Sequence, residues 1–414
     1  MYKRLLNYRI AQNLKNMSQN FEKYFTKAIE DLKSENRYRE FVDIARICGE
    51  FPFAINKKNG KKIVVWCSND YLGMGQNPQA ILQAKKALED YGVGSGGTRN
   101  ISGNNSPILD LEKTVATLHK KECGLVFSSG YVANDGAIQA LVKIIPDLIL
   151  FSDAKNHASI IAGVKNSGAK KHVFRHNDLN HLEELLKNYS LSQPKLIIFE
   201  SVYSMDGDFG KIVEIVEIAK KYQVLTYIDE VHTVGLYGDH GAGLTETLSI
   251  QNDIDIIQGT FAKGFGAVGG YIASSKIIID AIRSYASPFI FSTSMPPCIA
   301  VASKANIEHL TKSKIEREIL FTNVAQVKKR LLENKINIFE NNSHIVSVRV
   351  GDAKKAKIIS QKLLEDFNIY VQHINYPTVA KGDERLRITP SALHNQKMID
   401  DLISALTQII KDVL

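Results

Sequence analysis

The chain has 414 residues, 44% of them hydrophobic and 23% charged, with four cysteines and a formal net charge of +8. That length buries a large core in one major domain with one or two smaller ones, and no apolar run approaches the roughly 18 residues of a membrane-spanning helix. The positive charge is spread in pairs such as Lys57-Lys58, Lys61-Lys62 and Lys170-Lys171, which argues against a nucleic-acid surface and for small polyphosphorylated anions, and the scattered cysteines lack the spacing of a zinc site.

The opening stretch, MYKRLLNYRIAQNLKNMSQNF, is basic and has no continuous apolar segment, so it is not a secretory signal. An exposed helical extension of a cytoplasmic protein and an organelle transit peptide, with a mitochondrial address, both remain open. Residues 1–62 predict a helical arm with a short strand near FAINKKNGKKIVVW.

From about residue 64 the runs KIVVWC, CGLVFSS, DLILFSD, HVFRHN, KLIIFES, VLTYIDE and DIDIIQGT alternate with amphipathic stretches such as 179–188 and 212–222. Apolar runs without two-residue alternation are buried strands, so residues 63–296 predict an α/β domain, a mostly parallel central sheet flanked by helices. After FSTSMPP the pattern becomes one long helical stretch over about 298–335, then the strand-like runs HIVSVRV and IYVQHI and a final helix. Residues 297–414 therefore predict a smaller α+β domain.

In open α/β sheets chemistry collects where strand C-termini meet loops. Along the chain, FSSGYVAND turns from strand into helix and places the backbone N–H groups of Ser129, Gly130 and Tyr131 as a phosphate cup, though any N-capped helix begins the same way. His157, in DAKNHASI, offers a ring that could stack on a pyridine. Ser204, in ESVYSMDGD, adds a polar group after a strand.

Asp229 closes the strand VLTYID, with His232 three residues later. A carboxylate there could pair with the protonated ring nitrogen of pyridoxal phosphate (PLP), or cap the following turn. GTFAKGFGAVGGYIAS carries Gly264-x-Gly266-x-x-Gly269, a pattern shared with dinucleotide sites. Such sites need the glycines to open a helix, whereas these lead into the strand-like GGYIAS, with the next helix only near Lys276. The glycines instead clear space beside Lys263 for a ring-shaped ligand, and Thr260 places a hydroxyl three residues earlier.

These segments, together with WCSNDYLGMG, GSGGTRNISG, FIFSTSMPP and ERLRITPS, resemble the α-oxoamine synthases, a family of fold-type I PLP transferases, over roughly residues 36–411. The resemblance implies that Lys263 is the Schiff-base lysine, Asp229 the ring-nitrogen partner and His232 the donor to the cofactor's phenolic oxygen. It further implies that His157 stacks on the ring, that Ser204 and Thr260 contact the cofactor, and that Ser292 and Thr293 reach the phosphate of a partner subunit in a homodimer with shared active sites.

Within the family, the loop carrying Thr98, Asn100 and Ile101, with Arg39 in RYREF, is similar to that of members condensing glycine with succinyl-CoA to 5-aminolevulinate. An arginine and hydroxyl or amide donors suit the succinyl carboxylate. Asn69 and Arg387 correspond to binders of the glycine carboxylate, and Ser152, Lys171 and Thr378 to further substrate contacts. A solvated surface lysine is an equal reading of Lys171. Members acting on other acyl thioesters, and a silent scaffold retaining the fold, are the alternatives. A mobile lid is expected over NYPTVAKGDERLR. No metal and no nucleic-acid or membrane partner is expected.

Overall fold

The computed structural model describes residues 21–413; the basic stretch before them, and with it the choice between extension and transit peptide, lies outside the described residues. Residues 21–34 are helical. The arm beyond them is more than helical: β1 (Ile44–Arg46), β2 (Phe53–Asn56) and β3 (Lys62–Val65) form an antiparallel meander.

The main sheet has seven strands: β4 (Cys123–Phe127), β5 (Ile149–Asp153), β6 (Lys171–Phe174), β7 (Lys195–Glu200), β8 (Leu225–Asp229), β9 (Ile256–Thr260) and β10 (Gly270–Ser274). They lie in the order β4-β10-β9-β8-β7-β5-β6, and only β10 runs antiparallel to its neighbours. Strands β7 and β9 are buried at every residue, which is why their sequences read as unbroken apolar runs. Helices cover both faces: Gly130–Ile144 and Lys276–Tyr285 belong to one hydrophobic cluster, Leu179–Leu186 and Ile212–Tyr222 to another.

The run KIVVWC does not join this sheet. It becomes β3, and its sheet is completed by β12 (Ile369–Tyr370), parallel to β3 and about 300 residues away in sequence. The cause lies in the residue after the strand. Trp66 is fully buried, its ring stacks on His394 at 3.6 Å, and its carbonyl accepts from Thr389 N at 2.7 Å, so this segment packs on C-terminal elements. Strands β11 (Val346–Arg349), β13 (Gln372–Ile374) and β14 (Arg385–Ile388) make a three-stranded antiparallel sheet in the order β11-β14-β13.

Two further differences from the sequence reading stand out. The helical stretch over 298–335 is two helices, Pro297–Lys312 and Ile315–Glu333. The expected lid cannot extend over its full length, because Arg385–Ile388 is buried strand; the exposed part is confined to the loop before it.

Candidate functional site

Strands β7, β8 and β9 end side by side on Glu200, Asp229 and Thr260, and all three side chains line one cavity of about 250 Å³. The two oxygens of Asp229 have different roles. Oδ1 accepts from Val231 N at 2.8 Å, capping the turn, while Oδ2 faces the cavity and accepts from Asn134 Nδ2 at 2.8 Å. Asn134 is itself fixed, donating to Ser159 Oγ at 3.0 Å and accepting from Tyr227 Oη at 2.9 Å.

The glycine loop presents Lys263. Gly266 has φ +63°, and a Cβ there would lie 2.0 Å from Gly75 N; one on Gly264 would lie 2.3 Å from Val234 O. Backbone therefore packs directly on backbone, which only glycine permits. The helix after the loop begins at Lys276, beyond β10, so no helix N-terminus adjoins the glycines. Lys263 Nζ lies 2.6 Å from His232 Nε2. Burial, reinforced by the Arg387 charge, outweighs the opposing Asp229 charge and brings the Lys263 ammonium down to about 7, so a substantial share is the nucleophilic free amine near neutral pH.

Burial also pushes His232 well below the usual imidazole range, and it is neutral. With Lys263 donating to Nε2, His232 carries its proton on Nδ1 and donates to Tyr71 Oη at 3.0 Å. Tyr71 Oη donates to Asn69 Oδ1 at 3.2 Å. Arg387 then closes the network from β14, donating to Asn69 Oδ1 at 3.0 Å, Tyr71 Oη at 3.1 Å and Ser204 O at 2.9 Å. Arg387 is a cation only 8% exposed whose three acceptors are all neutral, an arrangement suited to receiving a carboxylate.

The opposite wall is His157. Its Nδ1 accepts from Ser159 N at 3.2 Å, its backbone N–H donates to Glu200 Oε1, and burial lowers its pKa, so the ring presents a neutral face. At the far end Ser129 caps the helix Gly130–Ile144, its Oγ accepting from Val132 N at 3.1 Å, which leaves the Gly130 and Tyr131 N–H groups without intrahelical acceptors. Thr260 Oγ1 stands 3.5 Å from where a Gly130 Cβ would be, and donates to Gly269 O at 2.7 Å. A lysine amine, a carboxylate, an aromatic wall and a nest of free N–H groups are the donor set PLP requires, and the residues fit it.

The remaining sequence-predicted residues are placed elsewhere. Thr98 pairs across an isolated bridge with Thr293, and Ser294 Oγ donates to Gly97 O and Gly103 O at 3.0 and 2.8 Å. Ser292 and Thr293 line a narrow space with Arg99 and Phe289, separate from the Lys263 cavity. Asn100 is exposed, and Ile101 is 80% exposed. Arg39 donates to Thr378 Oγ1 at 3.1 Å, bringing together two residues 339 apart in sequence. Ser152 is buried inside β5, its Oγ accepting from Asn156 Nδ2 at 2.9 Å. Lys171 is exposed at the start of edge strand β6, the strand end opposite to the cavity.

Four residues of the site escaped the sequence reading: Tyr71, Asn134, Ser159 and Glu200. Glu200 carried a usable signal, being an acid closing an apolar strand as Asp229 does. The other three act through side-chain partners far along the chain and had none.

Residues 61–406 match the family Aminotransferase class I and II. The chain is 52% identical to a 5-aminolevulinate synthase of Rickettsia prowazekii over 95% of its length and 94% of the relative's. It is 48% identical to that of Bradyrhizobium diazoefficiens over 94% and 96%. Among solved structures, serine palmitoyltransferase of Sphingomonas wittichii superposes with TM-score 0.86 at 27% identity, covering 95% of this chain and 98% of that one. The S. paucimobilis serine palmitoyltransferase with bound PLP-myriocin gives 0.86 at 28%, covering 95% and 98%. Strand order, the Lys263 cavity and this sequence likeness agree: the chain belongs to the 5-aminolevulinate synthases, within the class I and II aminotransferase family of PLP enzymes.

Proposed function

We infer that the chain catalyses the PLP-dependent, decarboxylating condensation of glycine with succinyl-CoA to 5-aminolevulinate, CoA and carbon dioxide, the first step of tetrapyrrole and haem biosynthesis. The observation that carries it is the Lys263 amine, buried, brought down to about 7 and held at His232, in a cavity walled by Asp229 and His157. When bound, PLP supplies an electron sink for negative charge at the glycine α-carbon.

The chain's own residues divide the remaining work. Lys263 would hold the cofactor and would take the glycine α-proton as general base. Asp229 would hold a proton at the ring nitrogen, and His157 and His232 would hold the ring and its phenolic oxygen. Ser129, Gly130, Tyr131 and Thr260 receive the phosphate, and Ser204 contacts the cofactor. Arg387 and Asn69 orient the glycine carboxylate, which points the α-proton at Lys263. Arg39 and Thr378 receive the succinyl carboxylate.

A homodimer with shared sites is part of this reading. Its support is that the loop of Thr98, Asn100 and Ile101, joined to Ser292 and Thr293, lies outside the cavity of its own chain, while Ile101 and Phe291 are 80% and 79% exposed. From a partner subunit, Ser292 and Thr293 would complete the phosphate site, and Thr98 and Asn100 the acyl site. Ser152 and Lys171 would contact the CoA portion only outside this cavity. No described helix is long and apolar enough to cross a membrane.

The test is turnover of the PLP-loaded protein with glycine and succinyl-, acetyl- and pimeloyl-type thioesters, following CoA release and aminoketone. Preference for succinyl-CoA, abolished in Lys263→Ala, is expected. Preference for another thioester would overturn the acyl assignment, and no turnover with any of them would overturn the reaction.

A further inference from the structure

Three neighbouring strands of the main sheet, β5, β7 and β8, each end on a buried acid: Asp153 is 2% exposed, Glu200 2% and Asp229 4%. Glu200 is the register partner of Asp229, so both side chains leave the same face of the sheet, one strand spacing of about 4.8 Å apart. Asp153, which is in register with Phe199 and so leaves the other face, and Asp229 are both well supplied with donors. Asp153 accepts from His176 Nδ1 at 2.8 Å, Lys155 N at 2.8 Å and Asn177 N at 3.0 Å. Asp229 has Asn134 and Val231 N.

Glu200, beside Asp229, accepts among the described residues only the backbone N–H of His157, and the amine of Lys263 is turned to His232 instead. Two carboxylates side by side on one buried face of a sheet do not both ionise readily, and the one with fewer donors is the one that keeps its proton.

We propose that Glu200 is a protonated carboxylic acid at neutral pH, a positioning residue that anchors His157 through its backbone N–H and, by staying neutral, leaves Asp229 as the only anion of the cavity. The groups facing it agree. Burial raises Glu200 well above the usual carboxylate range, Asp229 and Asp153 raise it further, and the His157 N–H and Lys263 lower it without reversing the outcome. Tyr203, whose Oη accepts from Glu200 N at 3.4 Å, is held neutral by the same burial. An ionised Glu200 would place a second negative charge beside Asp229, the group needed as a carboxylate. That consequence rests on the PLP reading; the protonation state itself does not.

Two measurements on the full chain test it separately. In the cofactor-free protein at neutral pH, the infrared difference spectrum of wild type minus Glu200→Gln should contain the C=O stretch of a protonated carboxyl; an ionised carboxylate band in its place overturns the proposal. Glutamine mimics the neutral acid and keeps the acceptor for His157, so Glu200→Gln should fold with wild-type stability, and failure to fold counts against the proposal.

In the PLP-loaded protein, the pH midpoint of the visible band should be the same in Glu200→Gln as in wild type. Removing a buried negative charge from the same cavity would lower that midpoint by about one pH unit or more, and such a drop overturns the proposal. If no visible band forms at all, the cofactor reading fails while the infrared result still decides the protonation of Glu200.

Discussion

Replacing Arg387 with lysine isolates what the guanidinium fork contributes. Arg387 donates three hydrogen bonds of 2.9–3.1 Å, to Ser204 O, Asn69 Oδ1 and Tyr71 Oη, from a position only 8% exposed. A lysine keeps the charge but not the planar fork, so it loses about two of these bonds or, with substrate bound, the second arm of a bidentate grip on the glycine carboxylate. At about 1.5 kcal/mol for each charge-assisted bond, the loss is about 3 kcal/mol, or roughly 150-fold in kcat/KM for glycine. Because Arg387 is tied to Asn69 and Tyr71 and not to Arg39, the KM for succinyl-CoA should move by less than about threefold. Steady-state kinetics with each substrate varied in turn, on protein shown to retain its cofactor band, decides the matter. A glycine kcat/KM reduced by less than about fivefold, or equal losses for both substrates, would refute the assignment of Arg387 to the glycine carboxylate.

Removing the buried amine should stabilise the cofactor-free protein: burial brings Lys263 down to about 7 when folded against 10.5 for an unperturbed lysine, so between about 7 and 10.5 the unfolded chain binds more protons and wild-type stability rises with pH. Lys263→Met should therefore be more stable than wild type at pH 7, on the order of 3 kcal/mol, with the advantage shrinking towards pH 10.5; urea titrations across that range check it. His176 has the opposite sign: burial lowers it, but hydrogen bonds and charge from Asp153 and Asp208 outweigh that and raise it from 6.5 to about 9. Its stabilisation is complete below 6.5 and is lost through about 9, so His176→Gln should cost on the order of 2 kcal/mol at pH 6 and little above pH 9, read from unfolding midpoints at both pH values. Gly266→Ala puts a Cβ 2.0 Å from Gly75 N at φ +63°, and should cost about 3 kcal/mol or more and weaken the visible band of Lys263; an unchanged melting curve would mean that this loop is not packed backbone to backbone.

The legible part of the site was that carried by local chemistry at strand ends. Asp229, Thr260 and Lys263 stood out because each comes at or just after the end of an apolar strand, and the glycine loop could be separated from a dinucleotide motif by asking whether a strand or a helix came next. The strand Gly270–Ser274 and the helix from Lys276 answer that question as the sequence reading did. Tyr71 was not legible: it is a tyrosine in a turn, and its importance comes from His232, 161 residues later, and Arg387, 316 residues later. The run KIVVWC was misplaced in the main sheet because an apolar strand shows how deeply it is buried but not which edge it joins.

What the sequence determined by itself was the alternation of buried strands and amphipathic helices, and the order in which reactive residues come after strand ends. Burial period, turn chemistry and the steric freedom of glycine act over a few neighbouring residues, and so are written along the chain. The tertiary structure alone decided that β3 pairs with β12, that Arg387 meets Asn69 across 318 residues, and that Glu200 sits beside Asp229 with one N–H to satisfy it. Those outcomes depend on which distant groups share a dry volume, and the strength of a charge or hydrogen bond there is fixed by surroundings that no local stretch of sequence contains.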